Sequence, residues 1–325
     1  MSATVISIDQ SDRVSRFSDI PTETWDGLFL FRSELQKVLL GKDKLVDSIL
    51  CAILSQGHVL FEDVPGIGKT TIIKATSRLL GLEMKRIQCT SDLLPSDIIG
   101  IEVYNAQTNQ FTFHRGPIFA NVVLADELNR SSPRTQSALL EAMGESLVTV
   151  DRETHILPKP FIVFAAQNPS DHLGTYPLPE SQLDRFSVKL CLGYPEAKKE
   201  KEIFSQCSLD PVAQVVEGCL PAAKLTQLQE VIESIFVSER ITNYVKRFVD
   251  ATRSHPSLKR GLSTRGGISW VRMARAKALL EKRDYVIPDD CIGLAPFCLS
   301  HRVISKTGSA ASDIISALIS SISIE

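Results

Sequence analysis

His58-Val59-Leu60-Phe61-Glu62-Asp63-Val64-Pro65-Gly66-Ile67-Gly68-Lys69-Thr70-Thr71 is the stretch that decides the fold. Its first four residues predict a short buried strand. Residues 71–80, closed by Gly81, predict a helix. A strand, a Gly-rich turn, Gly-Lys-Thr and a helix form the layout of a phosphate-binding loop. Gly66 and Gly68 let the backbone curl until its N–H groups face a phosphate chain, and the following helix adds the positive end of its dipole. Lys69 is placed to reach the β- and γ-phosphates, and the Thr70 hydroxyl to ligate Mg²⁺. Asp63, Pro65, Ile67 and Thr71 complete the predicted nucleotide-binding set. Asp63 stands where the usual pattern has its first glycine, so this loop must accept a side chain there.

A second motif lies downstream. The apolar run Val122-Val123-Leu124-Ala125 ends in Asp126-Glu127, which puts two carboxylates at the carboxyl edge of a buried strand. That edge is where open α/β sheets bind ligands. The predicted division of labour gives Asp126 the magnesium shell and Glu127 the attacking water. A further buried strand, 161–166, delivers Gln167-Asn168-Pro169. The Asn168 amide could meet a γ-phosphate or its water, or simply form a turn. Upstream, helices are expected over 34–40 and 43–56, broken at Gly41-Lys42. An adenine ring could lie against that turn, although ordinary packing explains it equally well.

Between these strands, alternation about a polar tip at 105–110 predicts a β-hairpin projecting from the domain, and 146–156 predicts a second. Beyond Tyr194-Pro195 the strand signals stop and helical periodicity takes over. The expected division is a flexible lead-in over 1–20, an α/β core over 21–194 and an all-helical unit over 195–325. Arg265 is expected at or just before the start of a helix over 267–281, and a last amphipathic helix over 309–325.

Composition sets bounds on function. The chain has 325 residues, 43% hydrophobic and 23% charged, with a formal net charge of -2. A full core is possible and nothing in the charge balance demands nucleic acid. No apolar run approaches the ~20 residues of a membrane span, and the N-terminal residues lack a signal-peptide core. The seven cysteines are scattered, with no Cys-x-x-Cys. That pattern fits reduced thiols in the cytoplasm rather than a disulfide frame or zinc site.

Taken together, the motifs resemble the MoxR family of AAA+ ATPases. The matching blocks are 62–70, Ala125-Asp126-Glu127-Leu128-Asn129-Arg130, 135–143, Ala166-Gln167-Asn168-Pro169, 176–186 with its Leu183-Asp184-Arg185-Phe186, and Leu294-Ala295-Pro296 with His301-Arg302. They occur in the family's order from about residue 39 to 303, and Glu-Asp-Val-Pro-Gly is common in that family, which accounts for Asp63. The resemblance implies an AAA+ core, with a parallel five-stranded sheet flanked by helices, and a C-terminal all-α lid. It also implies ATP and Mg²⁺ as cofactors. Asn168 takes the sensor-1 role, Arg185 resembles an arginine finger reaching a neighbouring subunit's nucleotide, and Arg265 sits where a sensor-2 arginine is expected. Ser263-Thr264-Arg265 departs from the commoner Ser-Pro-Arg. Members are typically hexameric, cytoplasmic and chaperone-like, and often act with von Willebrand factor A domain proteins on client complexes, including metal-centre insertion.

Two other functions stay open at this point. A nucleic-acid motor would want a cationic, aromatic hairpin, and the neutral tip 105–110 argues against one. A nucleotide-gated scaffold with little turnover would not need Asp126, Glu127 and Arg185 together.

Overall fold

Pro21 opens the first helix of the computed structural model, which describes residues 17–64, 66–150, 153–168, 174–195, 197–205, 210–306 and 310–323. That helix, α1, runs Thr22–Val38. It therefore begins well before the residue-34 start expected from the sequence. Residues 22–33 are rich in aromatic, β-branched and Gly positions of modest helix propensity, but Leu28 and Phe31 are buried completely, and burial outweighs propensity. α2 is Asp43–Leu54, β1 Val59–Glu62, α3 Lys69–Leu80 and β2 Met84–Gln88. A short α4, Pro95–Ile99, leads into β3 Gly100–Asn105 and β4 Gln110–Arg115. Then come β5 Val122–Asp126, α5 Pro133–Glu145, β6 Leu147–Val150, β7 Glu153–Ile156 and β8 Ile162–Gln167. The core closes with α6 Glu180–Leu183 and β9 Val188–Leu190.

The five long-range strands form one parallel sheet in the order β2-β5-β8-β1-β9. Alternate residues of the three central strands, β5, β8 and β1, enter different apolar clusters. Val59 and Phe61 of β1 face one side with Phe164 of β8, while Leu60 faces the other with Val123, Val163 and Ala165. Phe61 and Phe164 stack at 6.3 Å between centroids. Burial on both faces explains why these three strands read as continuous apolar runs.

β3–β4 and β6–β7 form the two expected antiparallel hairpins, the first longer than read from the sequence because Gly100 pairs with Arg115. Asp151 and Arg152 at the second tip lie outside the described residues.

The remaining helices are α7 Ala197–Ser205, α8 Pro211–Gln214, α9 Ala222–Ile232, α10 Glu239–Ser254, α11 Thr264–Leu280, α12 Pro288–Leu299 and α13 Ala311–Ser321. The all-α expectation needs one addition, since β10 Leu258–Arg260 pairs antiparallel with β11 Ile304–Ser305. α11 starts at Thr264 rather than 267 because the Ser263 hydroxyl accepts from Gly266 N–H at 2.9 Å and caps it. One apolar cluster runs continuously from α1, α2 and α3 through a sheet face into α9–α13. Around it, Asp47 of α2 pairs with Arg32 of α1 at 2.7 Å and Lys277 of α11 at 2.8 Å. The helical part is thus fastened to the core along its flank.

Candidate functional site

β1 ends at Glu62, and the chain then turns through Gly66 (φ 85°) and Gly68 (φ 92°) into α3. Both glycines are left-handed, a region other residues enter at a cost. A Cβ on either would meet no protein atom within 4 Å, so the loop faces open space. Pro65 lies outside the described residues. Lys69, only 8% exposed, donates to the Asp63 carbonyl at 2.7 Å and to Asn168 Oδ1 at 3.2 Å. Burial lowers its pKa, opposed by Asp126, Asp63 and Glu127. Thr70, half-buried, is the second residue of α3.

The Asp63 side chain faces elsewhere. Its Oδ2 accepts from the amides of Leu192 and of Gly193, the latter at 2.9 Å. The carboxylate thereby ties the loop to the segment leaving β9.

β5 lies two strands from β1, with β8 between them. Parallel pairing therefore aligns the ends of all three, and Asp126, Glu127 and Asn168 emerge at the same edge as Lys69. Glu127 is left-handed (φ 55°), a conformation that costs a glutamate about 1 kcal/mol. The sharp turn and the 3-10 segment Leu128–Arg130 that follows hold its carboxylate 3.4 Å from Asn168 Nδ2 and 3.5 Å from Arg130 Nη1. Asn129 Nδ2 donates to the Asn168 carbonyl at 3.2 Å, fixing the backbone that carries the amide. Two further participants come from β2. Arg86 pairs with Asp126 at 2.6 Å, and Gln88 Nε2 donates to Glu127 Oε2 at 3.1 Å.

The donors here suit magnesium. They are a hydroxyl and a carboxylate, all oxygen, beside a loop open to phosphate. Mg²⁺ commonly uses one or two protein oxygens and takes the rest from phosphate and water. Among the described residues no group of three or more His, Cys, Asp or Glu could hold a metal by itself.

A cavity of about 640 Å³ opens beside the loop, lined by Val38, Lys42, Ile67, Thr71, Tyr194 and Val215 among others. It has the size and the mixed apolar lining of a site for a nucleoside. Lys42 Nζ reaches the Tyr194 carbonyl at 3.4 Å. Gly41 (φ 74°) makes the turn but is not part of the lining.

The candidate Arg185 stands at the other edge of the sheet. Arg185 lies between α6 and the start of β9, and Ser187 N–H bonds the carbonyl of His58 at the beginning of β1. β1 rises roughly 3.3 Å per residue, so the edge carrying Arg185 lies some 15 Å from the Lys69 edge. Its Nη1 donates to the Leu140 carbonyl of α5, in a notch where a methyl group on Gly144 would collide with it. Arg265 is exposed on the first turn of α11, beside Ser263, whose hydroxyl donates to Asp184 at 2.8 Å. Its charge is close enough to lower the pKa of buried Arg302, after the larger effect of burial itself. Arg265 does not line the cavity by the loop. The structure thus gathers Lys69, Asp126, Glu127 and Asn168 at one edge and Arg185 at the other, while Arg265 follows Ser263, which bonds Asp184.

Comparison with known proteins agrees with this architecture. Residues 58–188 match the ATPase family associated with various cellular activities (AAA), and residues 250–318 match the AAA lid domain. The chain is 48% identical to YeaC, an uncharacterized protein of Bacillus subtilis, over 83% of this chain and 84% of that one. It is 40% identical to Chaperone MoxR1 of Mycobacterium tuberculosis, over 86% of this chain and 76% of the relative. A solved structure of a proposed ATPase from Cytophaga hutchinsonii superposes with a TM-score of 0.86 at 34% identity, covering 97% of this chain and 98% of that one.

Proposed function

Because this chain belongs to the MoxR family of AAA+ ATPases, we propose that it hydrolyses ATP at a seam between copies of itself to remodel partner proteins. The observation that carries the reading is the meeting of Lys69, Asn168 and Glu127 at one sheet edge, with Lys69 to Asn168 at 3.2 Å and Asn168 to Glu127 at 3.4 Å. In this reading Lys69 and the amides around Gly66 and Gly68 bind the phosphates. The Val38 to Lys42 turn and Tyr194 border the base. Thr70 and Asp126 offer the ligands for Mg²⁺, which when bound draws charge from the phosphoryl oxygens. Glu127 accepts a hydrogen bond from the attacking water and Asn168 holds that water or the γ-phosphate.

The transferring phosphoryl also needs positive charge on its far side. Arg185 sits too far along β1 to supply it to its own loop, so it serves a neighbour, and a ring, six-fold as is typical of the family, satisfies every site at once. Arg265, on the same face, joins it there.

A protein client is the better occupant for the projecting hairpin. Ile101, Val103, Tyr104 and Phe111 are all exposed on β3–β4, an apolar surface of the kind that grips polypeptide rather than phosphate. The named chaperone relative supports the same role. A von Willebrand factor A domain protein as partner and metal-centre maturation as the task remain parts of this proposal. So does the cytoplasm as the compartment, supported by the six free cysteines among the described residues. No helix of the described residues is long and apolar enough to cross a membrane.

Steady-state phosphate release over a range of protein concentrations tests the proposal. The specific rate should rise with assembly, and Arg185→Ala should bind ATP normally while losing ~10³-fold or more in turnover. A rate independent of concentration and untouched by Arg185→Ala would refute it.

A further inference from the structure

Arg302 is a buried charged side chain with hydrogen bonds to two separate elements, away from the nucleotide edge. It lies in the 3-10 turn Ser300–Arg302 that ends α12, and it is 8% exposed. Its Nη2 donates to the carbonyls of Asp184 (3.3 Å) and Phe186 (2.8 Å), the residues on either side of Arg185. Its Nε lies 3.2 Å from the Asp184 carboxylate. Toward α11, Nη1 donates to the Gly266 carbonyl (3.2 Å) and Nη2 to the Ser269 hydroxyl (3.1 Å), in the turn that carries Arg265. His301 adds a bond from Nε2 to the same Phe186 carbonyl at 3.0 Å.

Residues 184–187 need such support. They fall between the end of α6 and the start of β9, where neither helix nor sheet holds the carbonyls. A finger that must meet a phosphoryl group across a subunit seam tolerates little backbone drift, since a displacement of about 1 Å can cost ~10²-fold in rate. A buried guanidinium is an expensive way to join two elements that apolar contact could join. What it adds is direction, because five donors in one rigid plane fix several acceptors relative to one another.

Resting on the reading of Arg185 given above, we propose that Arg302 is a positioning residue for hydrolysis: it fixes the backbone flanking Arg185 and sets it relative to Arg265. Arg302 is not part of the lining of the cavity by the loop. Its effect falls on the site of the adjacent copy, never on its own.

That directionality gives the test. Lys69→Ala copies cannot bind nucleotide but supply Arg185; Arg185→Ala copies bind nucleotide but supply no finger. Mixed one to one, they should recover phosphate release at the seams where the two meet. Arg302→Lys, which keeps the charge and loses the planar fork, is then placed in either partner. On the Lys69→Ala copy it should lower the recovered rate about tenfold or more, with the KM for ATP unchanged. On the Arg185→Ala copy it should leave the rate within about twofold. Equal losses in the two placements would mean Arg302 only holds the protomer together, and would overturn the proposal. If the parent mixture recovers nothing, the seam reading of Arg185 fails, and this inference fails with it. Should Arg302→Lys not accumulate as folded protein, Asp184→Asn is placed the same two ways, with the same outcomes deciding.

Discussion

Acid should loosen this protein through His58, by an amount the structure allows to be worked out. The ring is 6% exposed and stands immediately before β1. Its Nδ1 accepts from Val163 N–H of β8 at 3.1 Å, which requires that nitrogen to be unprotonated, and its Nε2 donates to the Met143 carbonyl of α5 at 3.1 Å. Burial lowers its pKa from 6.5 to about 4, the Met143 carbonyl opposing and Arg185 adding to the fall. The sign follows directly. As pH drops, the unfolded chain takes up the proton first, so stability present above pH 6.5 is lost as pH falls toward 4. From 6.5 to 4 the whole effect is about 3 kcal/mol, and between pH 7.5 and 5 about 2 kcal/mol of it goes.

His58→Gln isolates this contribution, because the amide can still donate toward Met143 and accept from Val163 without titrating. Urea unfolding at pH 7.5 and at pH 5, without nucleotide, should show wild type losing about 2 kcal/mol more than the variant. His301, which burial and Arg302 also push well below its ordinary value, is present in both proteins and cancels. Parallel losses in the two proteins would refute the assignment, and with it the account of β1, β8 and α5 as joined by a neutral imidazole.

Three other perturbations test separate parts of the site. Asp63→Asn replaces an acceptor of two amides with a group that presents N–H to them, so nucleotide-free stability should fall roughly 1–3 kcal/mol by thermal unfolding; an unchanged midpoint would show the Leu192–Gly193 clamp to be idle. Arg86→Gln frees Asp126 from a half-exposed ion pair of ~1 kcal/mol or less, and should lower the Mg²⁺ concentration for half-maximal phosphate release by up to about fivefold, whereas a superimposable Mg²⁺ titration would count against competition at Asp126. Glu127→Gln should keep ATP binding and reduce turnover ~10²-fold or more in a phosphate-release assay, and near-normal turnover would remove Glu127 from the water-orienting role.

How much of this was legible beforehand depended on whether chemistry or geometry fixed the residue. Gly66, Gly68, Lys69, Thr70, Asp126 and Glu127 stood out as candidates because a phosphate and magnesium site would demand those residue types at a strand end, and the structure brings Lys69, Asp126 and Glu127 to one edge. The central strands were legible as apolar runs of the length buried parallel strands have, whereas the parallel five-strand sheet was implied by the family resemblance and is the sheet observed. Arg86 and Gln88 carried no such signal. Their partners are set by the register that puts Gln88 opposite Asp126, on a mostly exposed strand at the edge of the sheet. The left-handed turn at Glu127 was likewise hidden, since no glycine or asparagine advertises it. Arg302 stood in a recognised block, but its work lies with Asp184, far back in the chain. The early start of α1 was obscured by weak local propensity that tertiary burial overrode.

On the proposed seam reading, the polarity of the sheet, more than any single residue, ties nucleotide state to subunit contact. Parallel strands place every strand end on the same side, so the phosphate groups gather where β1, β5 and β8 finish, and whatever precedes β9 is carried to the opposite edge. A guanidinium at Arg185 cannot swing back across β1. The helical part, by contrast, borders both places. Pro211, Gln214 and Val215 line the cavity by the loop, while Arg302 and Ser263 grip the Asp184 to Phe186 segment. On the proposed seam reading, a change in how the helices sit over nucleotide would reach the seam through an apolar-packed body rather than through the strands. That body is continuous with α1, α2 and α3, so the packing that stabilises the chain also fixes the distance between the Lys69 edge and Arg185, the distance on which the proposed seam depends.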